Sequence, residues 1–409
     1  MPADVAIVGL GRIGLPLALS FADRGLNVIG IDREPRVLET VRAGTMPFRE
    51  TGTQELLERV GDRLELSQRI QDAAAAECVV LTLGTPTHVH IEIDISQIRS
   101  AIDALLPLLR EGQTIILRST VAPGTTEWVA GYIEQRRGLT AGEDVFVAHV
   151  PERIAVNHFL DEIATLPTIV GGVGQRSGEA AARLFGVFGT EIVQTSAVQA
   201  ELAKIWTNIL RYTQFALPNL LMMECEQYGA NVFDVIELIN HDYPRGGIKE
   251  PGLTAGTCLR KDFAFSEERS RAPGMLLSVS RVHESVPQFL VEGLKQRLGG
   301  SLRDCKVAVL GLTFKRDSDD LRDSLAAKLI RLLERELAIV SRHDPYVAEG
   351  TESLETALAG ANAVVVATNH SDYENVLPLV PHDAVIVDPW NVTGTHEVFA
   401  AVRELARNR

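Results

Sequence analysis

One stretch near the start limits what this chain can become: an apolar strand running straight into a glycine turn and then a helix. Residues 5–8 read Val-Ala-Ile-Val, Gly9, Gly11 and Gly14 follow in GxGxxG spacing, and an apolar helical pattern begins at Leu15. Each glycine has a separate task. Gly9 allows a tight turn, Gly11 lets backbone come close to a pyrophosphate, and Gly14 lets the helix lie against the strand. The helix start adds free amides and the positive end of a dipole. Asp32 ends the second apolar run, at about the 20-residue interval of a ribose-binding acid. A carboxylate there accepts from ribose hydroxyls and repels a 2′-phosphate, so the expected cofactor is NAD rather than NADP. Arg33 beside it either weakens that exclusion or flanks the adenine.

The rest of the chain is consistent with a large globular protein. Its 409 residues suffice for two or three domains. Forty basic against 54 acidic residues give a net charge of −14, which argues against nonspecific nucleic-acid binding but not against a phosphate-bearing ligand. Cys78, Cys225, Cys258 and Cys305 are scattered without a CxxC pair, so neither a metal site nor a disulfide framework is expected. No basic leader precedes an apolar core at the N-terminus, and no run of about twenty apolar residues is free of charge. The expectation is a cytoplasmic protein with no membrane span and no nucleic-acid partner.

Strand and helix patterns alternate from Val5 to Val170, which predicts a parallel sheet covered on both faces. Residues 198–229 then read as one long helical stretch, which Pro218 should kink or end. Further helices are expected at 232–239 and 275–298, and alternation resumes at Lys306. The run "VAIVGLGRIGLP" near the start is echoed by "VAVLGLTFK" at 307–315, without the full glycine spacing.

A few residues stand out chemically. Cys258, in "GTCLRKD", follows a loop with Pro251, Gly252 and Gly256, and Arg260, Lys261 and Asp262 come after it. An isolated cysteine is ordinarily an inert small apolar residue. At a helix start flanked by cations the thiolate form is favoured instead. Glu201, Lys204 and Asn208 fall on one helical face. They read either as a solvated ion pair with a bystander or as an ammonium and an amide for a developing alkoxide. Glu152, just after a strand, is a ligand-facing carboxylate or an ordinary loop acid.

Taken together, seven segments resemble the UDP-glucose/GDP-mannose dehydrogenase family, the nucleotide-sugar 6-dehydrogenases. They are "VGLGRIGLP" (8–16), "RSTVAPGTT" (118–126), "VPERIA" (150–155), "ELAKIWTN" (201–208), "GTCLRKD" (256–262), "GLTFKRDSDDLRDS" (311–324) and "HDPYV" (343–347). The resemblance implies an α/β protein with two Rossmann-like doubly wound parallel-sheet domains joined by a central helical dimerisation domain. Their bounds are 1–195 for NAD, 196–298 for the dimer and 299–409 for UDP. It implies a four-electron oxidation of a sugar C6 alcohol to a carboxylate. Cys258 would be the nucleophile, Lys204 and Asn208 would steady the alkoxide-like oxygen, and Asp262 would act as base or position water. Glu152 and Thr120 would serve thioester hydrolysis. NAD would meet Gly11, Arg12, Ile13, Asp32, Arg33, Thr85, Thr120 and Arg322. The UDP-sugar would meet Glu152, Lys204, Asn208, Tyr243, Arg245, Gly256, Phe314 and Lys315, with Arg245 reaching toward a neighbouring subunit.

"PERIA", "LPTIVGG" (166–172) and "DYPRGGI" (242–248) resemble the N-acetylhexosamine branch, pointing to UDP-N-acetylglucosamine or UDP-N-acetylmannosamine, with UDP-glucose as the alternative. Departures from the family pattern cluster near the cysteine. Leu253 and Ala255 stand for glycines, where their side chains would narrow the sugar pocket or change the accepted sugar; Arg260 stands for a small residue or proline. Pro218 and Leu220 stand for alanine and glutamate, and His283 for asparagine. Two other readings stay open at this level. One is a two-electron β-hydroxyacid-type dehydrogenase, which needs neither the cysteine nor residues 300–409. The other is a non-catalytic nucleotide-sugar sensor.

Overall fold

The computed structural model of the chain describes residues 3–85, 94–254, 256–267 and 274–405. It divides into two compact units: Met1–Thr207 with Ala264–Arg269, and Asn208–Phe263 with Ser270–Arg409.

The first unit is built on an eight-stranded sheet. Its strands are β1 (Val5–Val8), β2 (Val28–Ile31), β3 (Leu64–Ser67), β4 (Cys78–Leu81), β5 (Thr114–Leu117), β6 (Phe146–His149), β7 (Thr168–Gly172) and β8 (Ile192–Ser196), in the order β3-β2-β1-β4-β5-β6-β7-β8. Helices α1 (Gly14–Asp23), α2 (Pro35–Arg42), α3 (Thr53–Val60), α4 (Ser96–Leu105), α5 (Thr125–Arg137), α6 (Phe159–Ile163) and α7 (Gln175–Phe185) connect them. Alternate residues of β1 serve opposite faces. Val5 and Ile7 join one apolar cluster with Leu15 and Phe21, and Ala6 and Val8 join another with Val79 and Ile98. Burial on both faces is what a doubly wound sheet requires. The sheet is parallel except where β6 meets β7. There the connection holds only a five-residue helix, α6, and stays at one end of the sheet, so the chain returns alongside β6 instead of crossing over.

Helix α8 (Ala197–Tyr228) runs for 32 residues. Of the two outcomes expected at Pro218, an end to the helix does not occur: the helix continues through it, although proline gives no N–H to the preceding turn.

The second unit adds α9 (Val232–Asn240), α10 (Thr257–Glu267), α11 (Met275–Arg297), α12 (Leu325–Arg335), α13 (Leu354–Leu358) and α14 (Val402–Leu405). Its sheet has the order β10-β9-β11-β12-β13, from β9 (Lys306–Leu310), β10 (Ile339–His343), β11 (Ala363–Val366), β12 (Val385–Val387) and β13 (Phe399–Ala401); only β13 is antiparallel. Met222 and Cys225 of α8, Phe233 of α9 and Val286 and Leu290 of α11 share one core with Val307, Val309 and Val365 of this sheet.

The two glycine turns match atom for atom. Gly9 has φ 98° and its N–H donates to Ile31 O at 2.7 Å; the next N–H, of Leu10, donates to Asp32 Oδ2 at 2.7 Å. Gly311 has φ 88° and donates to His343 O at 2.8 Å, and Leu312 N–H donates to Asp344 Oδ2 at 2.6 Å.

Candidate active site

The first turn has the shape of a dinucleotide cradle. A Cβ on Gly14 would lie 1.8 Å from Gly9 O, so only glycine lets α1 start this close to β1. Gly11 is exposed with nothing within 4 Å of the place a Cβ would take, which leaves the turn open to a ligand. No side chain caps the N-terminus of α1 and no acid stands in its first turn, so its amides and dipole remain for an anion. Asp32 is half-buried; Leu10 N–H and, at 2.9 Å, Glu34 N–H orient its carboxylate. Arg33 is exposed, Ile13 is half-buried, and the Arg12 guanidinium lies 5.2 Å from the Phe48 ring. Buried Thr85 donates to Thr120 O at 2.7 Å, tying the segment after β4 to the one after β5. These residues fit NAD.

Deeper in the same unit, Glu152 is buried in an ion pair. Arg118 Nη2 donates to its Oε2 at 2.5 Å, and Ile154 N–H donates to Oε1 at 2.7 Å. Arg118 also lies over the Phe185 ring at 4.9 Å. The spacing alone did not mark Arg118, because its partner is 34 residues away. His149, at the end of β6, is fully buried; burial first, then the positive charge of Arg118 and Lys204, push its pKa down to about 3.

Glu201 is not half of a solvated ion pair. It is fully buried and accepts from Gly124 N–H at 2.6 Å, Thr126 N–H at 2.8 Å and Thr126 Oγ1 at 2.5 Å. Burial raises its pKa against the pull of those bonds. It therefore anchors the N-terminal turn of α5, one helical turn from Lys204, which is itself buried.

The second unit holds the thiol. Gly256 has φ 101° and precedes α10, which puts Cys258 in the helix's first turn, exposed. A Cβ on Gly256 would lie 2.6 Å from the Phe314 ring, so this glycine is required for packing as well as for its dihedral. The other cysteines differ: Cys225 is buried, Cys305 half-buried, and burial pushes the Cys78 thiol up to about 11. One turn further along α10, buried Asp262 accepts from Asn208 Nδ2 at 2.6 Å, with Asn208 also buried. Arg260 is engaged by Glu284 at 2.7 Å and Asp323 at 3.4 Å.

Arg322 pairs with Asp320, Nη2 to Oδ2 at 2.7 Å, and that bond first, with the nearby charges of Asp320 and Cys258, raises its pKa. Tyr243 and Arg245 hold each other on the surface, Arg245 Nε donating to the phenol at 2.9 Å. The expected effect of Leu253 is corrected. Its side chain turns inward and is buried in the core with Val286 and Leu290, so it does not narrow a pocket; Ala255 lies outside the described residues. Phe314 and Lys315 follow β9. Beside them a cleft of about 490 Å³ opens beyond the carboxyl ends of β9, β11 and β12, lined by Arg316, Asn369, Trp390 and Asn391 among others. Position on the sheet, not residue type, is the signal that finds it.

Comparison with known proteins agrees with this layout. The UDP-glucose/GDP-mannose dehydrogenase family's NAD binding domain matches residues 3–189, its central domain 198–286 and its UDP binding domain 308–395. The UDP-N-acetyl-D-mannosamine dehydrogenase of Pyrococcus horikoshii is 32% identical over 381 residues, 91% of this chain and 90% of that one. The NDP-N-acetyl-D-galactosaminuronic acid dehydrogenase of Ralstonia nicotianae is 31% identical over 416 residues, 97% of each. Among solved structures, the UDP-N-acetyl-mannosamine dehydrogenase of Staphylococcus aureus has a TM-score of 0.87 at 33% identity, covering 95% of both chains. The chain belongs to the UDP-glucose/GDP-mannose dehydrogenase family and is an NAD-dependent nucleotide-sugar dehydrogenase.

Proposed function

We propose that this enzyme oxidises the C6 hydroxyl of a UDP-N-acetylhexosamine to the carboxylate, with UDP-N-acetylmannosamine the first candidate and UDP-N-acetylglucosamine the second. The observation that carries it is the exposed Cys258 in the first turn of α10, with the Asn208–Asp262 pair one turn on. The names of its relatives support the choice of sugar.

Gly11, Arg12, Ile13, Asp32, Arg33, Thr85, Thr120 and Arg322 would hold NAD, which when bound would supply the hydride acceptor for both oxidations. In the first, the alcohol loses a proton and a hydride to become an aldehyde, while Lys204 and Asn208 donate to the oxygen as charge gathers on it. Asp262 keeps the Asn208 amide turned for that task by accepting one of its N–H groups. The Cys258 thiolate then adds to the aldehyde carbon, forming a C–S bond and a thiohemiacetal. Loss of a second hydride and a proton leaves a thioester. Water held by Glu152 and Thr120 adds to it, the C–S bond breaks, and the thiolate is restored with the carboxylate product. The Arg118 pair keeps Glu152 fixed for this role. Tyr243, Arg245, Gly256, Phe314 and Lys315 bind the nucleotide-sugar, and the cleft beside β9 suits its nucleotide part.

The functional segments are 1–195 for NAD, 196–298 for dimerisation and 299–409 for UDP. Homodimerisation through α8 is supported by its exposed apolar residues: Trp206 is 52% exposed, Leu210 58%, Leu217 54% and Leu220 51%. Arg245 would then reach the substrate of the neighbouring subunit. We place the enzyme in the cytoplasm; among the described residues no helix is long and apolar enough to cross a membrane.

The test is NADH absorbance with a panel of UDP-sugars. Two NADH per sugar are expected with a UDP-N-acetylhexosamine. One per sugar would favour two-electron chemistry, and none a sensor. Cys258→Ser should abolish uronate formation or stop it after the first oxidation; full uronate at the normal rate would refute the thioester route.

A further inference from the structure

We propose that Asn219 and His283 are positioning residues that hold the loop before Cys258; the inference rests on the nucleophilic role given to that cysteine. Gly252, six residues upstream of it, is held at both backbone groups. Its N–H donates to Asn219 Oδ1 at 2.8 Å, and its carbonyl accepts from Asn219 Nδ2 at 3.0 Å. Since a backbone N–H can only donate, the atom facing it must be the amide oxygen, which fixes the orientation of Asn219. The amide nitrogen is then left to face His283 Nδ1, at 3.4 Å. That nitrogen must carry the lone pair, so the imidazole proton sits on Nε2, which donates to Tyr212 O at 2.8 Å. The ring also stacks on Tyr212 at 4.2 Å and 10°. Asn219 and His283 are both buried, so each bond in this chain is made away from water.

Other contacts hold the described residues on either side. A Cβ on Gly252 would meet the Trp390 ring at 2.3 Å, and Leu253 is packed in the core. At the far end Gly256 lies against Phe314, and its N–H donates to Asp323 O at 3.4 Å. The first turn of α10 inherits its position from these anchors. An asparagine at position 283 could likewise accept a hydrogen bond from Asn219.

The test uses the full chain with three variants: Asn219→Leu, His283→Phe and His283→Asn. Phenylalanine keeps the ring against Tyr212 but neither accepts from Asn219 nor donates to Tyr212 O. Hydrogen exchange of the peptide containing Gly252, read by mass spectrometry, should speed up at least tenfold in Asn219→Leu and His283→Phe. With UDP-N-acetylmannosamine, kcat should fall at least tenfold in both while KM for NAD stays within twofold. His283→Asn should restore both readouts to within about threefold of the parent. A folded His283→Phe protein with parental exchange at Gly252 and parental kcat would overturn the proposal, whatever its melting temperature. If the parent oxidises no UDP-sugar, the functional reading fails, and exchange at Gly252 alone decides the positioning role. Should Asn219→Leu not fold, His283→Phe decides it.

Discussion

His149 and His283 are buried imidazoles kept neutral for the same first reason: burial penalises the charged ring, lowering their pKa to about 3 and about 4. The sign of the effect on stability follows. Above about pH 6.5 both rings are neutral in folded and unfolded chains. Below it the unfolded chain takes up protons that the folded one refuses until pH approaches 4 for His283 and 3 for His149, so stability falls with pH through that window. Each ring contributes up to about 1.4 kcal/mol per pH unit. In urea unfolding at pH 7.5 and pH 5.0, His283→Asn should lose about 2 kcal/mol less than the parent between the two conditions. Equal losses would mean that the imidazole is not refused its proton. The roles of single residues were legible only where the partner is near in sequence. For Asp32 the place after β2 could be read, because strand, turn and helix specify it. Glu201 could not: its partners, Gly124 and Thr126, are more than 70 residues away, and spacing suggested solvent instead. Leu253 was misread for a related reason, since a loop position does not reveal that its side chain turns into the core.

Among elements of the large sheet, the buried strands were legible and the two edge strands were not. β1, β2 and β5 are buried throughout, and apolar but for Thr114 of β5, because both their faces are covered. β3 and β8 close the two ends of the large sheet and are half exposed, so no apolar run marks them. Helix α8 was legible as a helix, but the sequence left open whether it ends at Pro218, and it does not. Packing of Met222 and Cys225 into the core of the second unit outweighs a local cost of about 3 kcal/mol. The outward face of the same helix raises a separate question. Leu210, Leu217 and Leu220 recur at helical spacing and remain exposed, at a cost that a second copy would remove. Replacing Leu210 and Leu217 together by glutamate should halve the mass seen in sedimentation equilibrium, to near 44.6 kDa. A parent that already sediments at that mass would dispose of the dimer.

Across the whole molecule, one turn is used twice for different ends. Asp32 and Asp344 each accept the N–H that follows the turn glycine, yet their surroundings differ. Asp32 is half-buried beside the open Gly11, with room for a ribose. Asp344 is buried under His370, whose Nε2 is 3.2 Å away, and also accepts from Tyr346 N–H at 2.8 Å. Burial pushes the Asp344 carboxyl up, but the bonds from His370 and Leu312 outweigh it and hold it below the usual range. The second acid is thus consumed by the fold and is not left open to a ligand as Asp32 is. The same substitution at the two matched positions should therefore act on different quantities. Asp32→Ala should weaken NADH binding, followed by its fluorescence, by about tenfold, or about 1.4 kcal/mol, with a small change in melting temperature. Asp344→Ala leaves buried donors without their acceptor and should cost about 3 kcal/mol of stability while NADH affinity stays at the parental value. If Asp344→Ala instead weakened NADH binding and left the melting temperature in place, the second turn would be a nucleotide site of the first kind, and the division of labour between the two halves would be wrong.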